Sequence, residues 1–300
     1  MTKVLLSLTI MSRLLNIFIR SKTSSDRIAQ VFNEDSSILV RENPEVIVNP
    51  KGQLEFKGVS FKYKDSSRYI LEDISFKVNP GQMLAIIGST GSGKTSLINL
   101  IPRFYDVNKG EIEIDGKNIA DLDPEQLREQ IALVPQKTLL FTGSIRDNIK
   151  WGNSNASEDE VELVAKITQP HDFITSFNEG YNTYLGQGGL NLSRGQKQRI
   201  SIARALIKKP SILILDDSTS AVDLITERKI KAGLREYLKD TTTILIAQRI
   251  TSVMDADKIL VMDRGKVVGL GNHQELMKDN EVYQDIYNSQ IGKGVDLLES

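Results

Sequence analysis

The run Gly88, Ser89, Thr90, Gly91, Ser92, Gly93, Lys94, Thr95 fits G-x-x-x-x-G-K-[ST], a spacing whose chemistry is the gripping of phosphate. Its glycines let the backbone curl so that successive N–H groups point at phosphate oxygens. Lys94 is placed to reach β- and γ-phosphates and the Thr95 hydroxyl to sit on Mg²⁺, with Ser96 opening the helix that follows. Other stretches end in polar groups suited to the same chemistry. Ser211-Ile-Leu-Ile-Leu215 is an unbroken apolar run that closes on Asp216 and Asp217. An unpaired carboxylate at the end of a buried strand is costly unless a cation or hydrogen bonds meet it. Thr243-Ile-Leu-Ile-Ala247 closes on Gln248, and Ile131-Ala-Leu-Val134 on Pro135 and Gln136. In Leu192-Ser-Arg-Gly-Gln196, Ser193 and Gln196 have N-cap and N3 spacing ahead of a helix running to about Lys208. Free N–H groups at such an end bind anions.

The elements that must position these groups follow from periodicity. Met83 to Ile87 is an apolar strand leading into the phosphate loop, and Ser96 to Ile101 continues as a helix. Leu54 to Tyr63 and Ile74 to Val78 alternate apolar with polar, as does Glu111 to Asp115, so each reads as a strand with one buried face. Asn79-Pro-Gly81 and Gly116 mark turns. The middle changes character: Ser157 to Thr168 is a helix with a capping box at Ser157 and Glu160, Phe173 to Phe177 is a shorter helical piece, and Gly186 to Gly189 is glycine-rich. Strands at Lys258 to Met262 and Lys266 to Leu270, then a helical tail, complete an alternating α/β pattern. His171 and His273, the chain's two histidines, read as surface or loop residues.

With 38 Lys and Arg against 39 Asp and Glu, the net charge of −1 gives no broad basic field for nucleic acid or an anionic membrane. Phosphate affinity is therefore local. Cysteine is absent, which excludes a disulfide framework and thiolate metal sites. Met1 to Arg20 is the most apolar segment, but Lys3, Arg13 and Arg20 interrupt it short of the ~20 apolar residues of a membrane span. It is expected to be the cytosolic end of a transmembrane helix rather than a complete span, with Arg41 to Pro50 a proline-punctuated linker. Residues 1–50 are then helix end plus linker, 51–290 the main domain with a helical insert about 144–209, and 291–300 a tail.

Tyr63, Gly88 to Thr95, Gln136, Leu192 to Gln196, Asp216, Asp217, Asp223 and Gln248 occur in the order and spacing of an ATP-binding cassette. The chain resembles the nucleotide-binding domain of an ABC exporter over roughly Lys51 to Gln290. The resemblance implies a P-loop NTPase (RecA-like) α/β core with an antiparallel β-subdomain and an inserted helical subdomain. It implies ATP and Mg²⁺ as ligands, with Tyr63 stacking on adenine, Gln136 touching Mg²⁺ and the membrane-domain contact, and Asp216 holding Mg²⁺. Ser193, Gly195 and Gln196 correspond to the signature that contacts nucleotide on an opposing subunit, and Asp223 to the loop that crosses the dimer interface. The implied setting is the cytoplasmic face of the cell membrane, with an ABC transmembrane domain and a second nucleotide-binding subunit as partners.

The departures are as informative. Where the family usually has glutamate after the metal-binding aspartate, this chain has Asp217, one methylene shorter. Where it usually has a histidine closing the γ-phosphate region, this chain has Gln248, which cannot become a cation. Water-positioning groups contribute ~10²–10⁴ in rate, so this half-site is expected to bind nucleotide and hydrolyse it slowly. The pairing is similar to that of the degenerate subunit of heterodimeric multidrug exporters. Arg194 stands where the signature usually has glycine, and two outcomes are open: its guanidinium adds charge to the partner's site, or crowds it. Tyr184 to Gly189 also departs from the family's more acidic segment. A second reading is a regulatory module that clamps a partner ATPase without turnover. A chromosome-organising or DNA-repair ATPase would need a long coiled coil between Thr95 and Leu192, and the sequence there has none.

Overall fold

The computed structural model describes residues 2–34, 38–64, 66–218 and 220–292. Two units are separable, residues 1–39 and 40–300. The first is a single helix, α1 (Thr2–Phe32), with no buried residue. It is long and apolar enough to cross a membrane by length and composition alone. That criterion tolerates isolated charges such as Arg13 and Arg20, the residues on which the expectation of an incomplete span rests. Met1 lies outside the described residues.

In the second unit, β1 (Leu54–Phe61) and β2 (Leu71–Val78) pair antiparallel. β3 (Met83–Gly88) leads into the phosphate loop and α2 (Lys94–Leu100) leaves it. β4 (Lys109–Ile114) and the short β5 (Lys117–Asn118) complete a four-stranded antiparallel sheet in the order β2-β1-β4-β5. Next come α3 (Pro124–Glu129), β6 (Ile131–Val134) and a helical stretch. That stretch holds β7 (Gly143–Ser144), α4 (Ile145–Lys150), α5 (Glu158–Ile167), α6 (His171–Thr175), β8 (Tyr184–Leu185) and α7 (Arg194–Leu206). Its longest helix before α7 is the ten-residue α5, so nothing here resembles a coiled-coil arm. β9 (Ile212–Asp216), α8 (Leu224–Tyr237), β10 (Thr242–Ile246), β11 (Lys258–Asp263) and β12 (Lys266–Gly271) follow. The chain then closes with α9 (His273–Asp279) and α10 (Glu281–Tyr287).

The central sheet runs β12-β11-β3-β10-β9-β6, parallel except for β12. Both faces are covered, and the strand side chains alternate between two cores. Leu84, Ile86, Ile212, Ile214, Ile244 and Ile246 pack against α2 and the antiparallel sheet, in which the Phe56 ring of β1 and the Phe76 ring of β2 stack at 4.5 Å. Ala85, Ile87, Leu213, Leu215 and Leu245 face the helical layer, meeting Val164, Ile200, Ala203 and Ile230. The apolar runs of β3, β9 and β10 are thus explained by burial on both sides, and their carboxyl ends converge where sheets of this kind bind ligands.

Three expectations are revised. The compact unit begins at Val40, ahead of Lys51: Ile47 is buried and the Glu45 amide donates to the Asp121 carbonyl at 2.8 Å, so the linker packs on the domain through an isolated bridge. β1 stops at Phe61, leaving Tyr63 just beyond the strand. The histidines are neither loop nor fully surface residues. His171 and His273 open α6 and α9, are half-buried, and bond Tyr181 and Tyr283 at 2.9 and 2.8 Å through Nδ1. Residues 293–300 of the expected tail lie outside the described residues.

Candidate nucleotide site

The phosphate loop is held open by its glycines and by an uncapped helix. Gly93 is the cap residue of α2 at φ 98°, and no side chain caps that end. By contrast, Asp123, Ser144, Ser157, Ser193, Asp223, Asn272 and Asn280 cap their helices with a side chain. The first N–H groups of a helix need partners, so leaving these ones uncapped reserves them for an anion. At Gly88 an added Cβ would stand 2.1 Å from the Met262 carbonyl oxygen, because β11 packs directly against the loop. Lys94 is folded back: Nζ donates to the carbonyls of Gly88 and Ser89 at 2.8 and 2.7 Å. Burial lowers the Lys94 pKa from its ordinary value, and the charges of Asp216 and Asp217 oppose that shift.

A cleft of about 270 Å³ lies over the loop, lined by Thr90, Lys94, Thr95, Gln136, Asp216 and Gln248, among others. Asp216 ends β9 and is buried. Burial pushes its carboxyl above the ordinary value, the Asp217 charge adds to that, and a hydrogen bond from Thr95 and the charge of Lys94 pull the other way. Thr95 and Asp216, far apart in sequence, are thus brought together at the mouth of the loop.

The rim is less expected. Asp217 is buried and its backbone is left-handed at φ 47°, a conformation Asp tolerates better than most side chains. Its Oδ2 accepts from Gln136 Nε2 at 3.1 Å and from Gln248 Nε2 at 2.9 Å. Two amide donors occupy the two lone-pair positions of that oxygen. Three side chains from the ends of β6, β9 and β10 are thereby locked together beside the cleft. A second cavity of about 410 Å³ opens on the far side of this cluster, lined by Arg194, Ser220, Glu227, Arg249 and the same three residues.

Tyr63 is half-buried, its hydroxyl 3.1 Å from Ser96 Oγ and its ring edge-on to Phe61 and Tyr105 at 4.9 and 5.1 Å. The signature residues cap α7: Ser193 Oγ accepts from Gln196 N at 3.2 Å and Gln196 Oε1 accepts from Ser193 N at 2.8 Å. A Cβ at Gly195 would meet the Ala221 carbonyl oxygen at 2.8 Å, whereas Arg194 is exposed. The glycine that tight packing requires is kept, and the position that became arginine had room. Asp223 caps α8 through the Thr226 amide. Thr219, in the loop between Asp217 and Asp223, lies outside the described residues.

Sequence reasoning missed the apolar walls Ile70 and Ile246, and Arg249 and Glu227 beside the rim. Ile246 was within reach, since it closes a buried strand two residues before Gln248; the others carry no local signal.

The ABC transporter family matches residues 71–220 of this chain. Bacillus subtilis (strain 168) has an uncharacterized ABC transporter ATP-binding protein, YfiB, that is 46% identical over 292 residues, covering 97% of this chain and 50% of that protein. The putative multidrug export ATP-binding/permease protein YgaD of the same organism is 42% identical over 271 residues, covering 90% of this chain and 47% of its own length. A bacterial Atm1-family ABC exporter solved with ATP bound superposes with a TM-score of 0.86 at 36% identity, over 90% of this chain and 47% of that one. The chain thus spans about half the length of these relatives. With the phosphate loop, the buried Asp216 and the capped helix α7 set on a P-loop α/β core, this chain belongs to the ABC transporter family, carrying that family's ATP-binding ATPase domain.

Proposed function

We propose that this chain is the ATP-binding half of an ABC exporter at the cytoplasmic face of the cell membrane. In this reading it closes head-to-tail with a second nucleotide-binding subunit in a heterodimer, its own half-site is slow, and closure moves a transmembrane domain. ATP would lie with its adenine against Tyr63 and its phosphates over Gly88 to Ser96. The similarity to proteins named for multidrug export, with ATP-binding and permease parts, supports the membrane partner. So does a groove beside the Gln136 segment, lined by Leu139, Phe141 and Arg204. There the exposed Trp151 stacks on Phe141 at 4.2 Å. Residues 2–32 are read as membrane-associated helix.

Mg²⁺ fits the residues present. Asp216 is a buried carboxylate whose ionised form needs added positive charge, while Lys94 is spent on two carbonyls. Among the described residues no group of three or more His, Cys, Asp or Glu side chains is placed to hold a metal. A magnesium held by one carboxylate, with phosphates and water completing it, is the usual arrangement. Asp216 and Thr95 would hold it, with Gln136 beside them. When bound, it would neutralise phosphate charge.

The observation that carries the slow half-site is the pair of amide hydrogen bonds on Asp217 Oδ2. With one of its two oxygens committed to two amides, which fix the carboxylate's orientation, and with a side chain one methylene short, Asp217 is poorly placed to accept from an attacking water. The test is steady-state phosphate release with an equimolar partner carrying an intact signature and a disabled catalytic carboxylate, so that only this half-site turns over. Turnover ~10²-fold below the median enzyme value of about 10 s⁻¹ is expected. Turnover of several per second would contradict it.

A further inference from the structure

The C-terminal turn Asn288–Gly292 follows α10 as a π-type turn, a geometry often found at functional positions. From it the Gln290 amide reaches back to the loop after β10. Its Nε2 donates to the Gln248 carbonyl at 2.8 Å and its Oε1 accepts from the Ile250 N–H at 2.7 Å. Both bonds are made by one planar group, so the backbone on either side of Arg249 is fixed in orientation as well as position. The turn is itself held down, because Ile286, Tyr287 and Ile291 pack on the core, and Tyr283 is fully buried and bonded to His273. At the other end of this chain of contacts, the Gln248 side chain donates to Asp217. Hydrogen bonds thus lead from Gln290, through Gln248, to Asp217 at the rim of the cleft.

Only an amide satisfies both partners. A carboxylate in its place accepts from Ile250 but turns an oxygen toward the Gln248 carbonyl. An aliphatic side chain makes neither bond, and alanine leaves a gap. The bonds span about forty residues of sequence and do nothing for α10 itself, whose own cap is Asn280. They act on the loop.

We propose that Gln290 is a positioning residue for the γ-phosphate end of the site: it holds the Gln248 loop so that the Gln248 side chain meets a third phosphate. The C-terminal helix thereby sets how well the domain distinguishes ATP from ADP. This rests on the reading that Gln248 faces the γ-phosphate.

The experiment is calorimetric titration of the full chain with ATP and with ADP, without Mg²⁺ so that nothing turns over, for wild type, Gln290→Met, Gln290→Ala and Gln248→Ala. Gln290→Met keeps length and apolar packing and loses both bonds, so it guards against simple loss of fold. Both Gln290 variants should weaken ATP binding about 5- to 10-fold, the scale of one lost neutral hydrogen bond, and leave ADP binding within about twofold. Melting temperatures should stay close to wild type. An unchanged ATP-to-ADP ratio in Gln290→Met, or parallel weakening of both nucleotides, overturns the proposal. The Gln248→Ala arm separates the two ideas. If it alters the ratio while Gln290→Met does not, only the role of Gln290 falls; if it leaves the ratio untouched, the γ-phosphate reading falls and the proposal with it.

Discussion

The floor and the rim of the nucleotide cleft are built differently. The floor, Gly88 to Thr95 with Asp216, is framed by backbone, namely a glycine loop pressed on β11, an uncapped helix end and the terminus of a strand buried on both faces, with the side chains of Lys94, Thr95 and Asp216 set on that frame. The rim is made of side chains, with Gln136, Asp217 and Gln248 meeting at one carboxylate oxygen and Gln290 bracing the loop behind them. Backbone geometry survives side-chain drift, whereas a side-chain cluster changes with a single methylene, so under the proposed function the floor preserves binding and the rim sets turnover. In the proposed reading, binding rests on the floor and turnover on the rim, so the two are separable, and the following tests are arranged to pull them apart.

The largest effect is expected at neither region. Ser193 caps α7 and is exposed, so Ser193→Arg should leave this chain's own ATP affinity within about twofold. In a mixed dimer it should cut phosphate release at the partner's loop ~10²–10³-fold, the scale of losing a preorganised transition-state donor. Loss of ATP binding in the isolated chain with mixed-dimer turnover intact would show that the signature belongs to its own floor. Next in size, Lys94→Ala removes the cation of the floor. Charged hydrogen bonds are worth ~1.5–3 kcal/mol, so ATP affinity should fall ~10- to 150-fold by titration. An affinity unchanged within twofold would mean Lys94 stays on its two carbonyls when nucleotide binds.

The smallest effect concerns stability. The Asp216 carboxyl is harder to ionise in the folded chain than in the unfolded one. Ionised Asp216 therefore costs stability at neutral pH, and that cost disappears as the pH falls through its raised pKa toward the ordinary carboxylate value. Asp216→Asn keeps an acceptor for Thr95 and removes the charge. It should raise the nucleotide-free melting temperature. It should also abolish the extra stabilisation that Mg²⁺ adds to ATP. A lower melting temperature would mean that Asp216 is structural.

Much of this was legible because it is local. The phosphate loop, the capping boxes at Ser157 and Ser193, and the doubly buried strands depend on spacing within a few residues. The rim was legible only as three separate strand ends. That Gln136 and Gln248 share one oxygen of Asp217 follows from the strand order β10-β9-β6, which no segment encodes alone. Gln290 had no signal, since its bonds reach backbone groups some forty residues away. The prolines of the linker mark extended chain but say nothing of whether it packs, and Ile47 is buried in the core. The histidines were misjudged because their tyrosine partners lie ten residues away, beyond any helical or strand repeat.

The central claim is that the rim alone makes the half-site slow, and its most direct test is to rebuild the rim. Asp217→Glu restores carboxylate reach beyond the two amides, and Gln248→His removes one of those amides and supplies an imidazole in its place. Phosphate release should be measured with the equimolar partner that has an intact signature and a disabled catalytic carboxylate. The double variant should turn over at least ~10-fold faster than wild type, within the 10²–10⁴ range of such groups, with each single change recovering less than its share. A double variant that binds ATP as tightly as wild type yet turns over no faster would contradict the account.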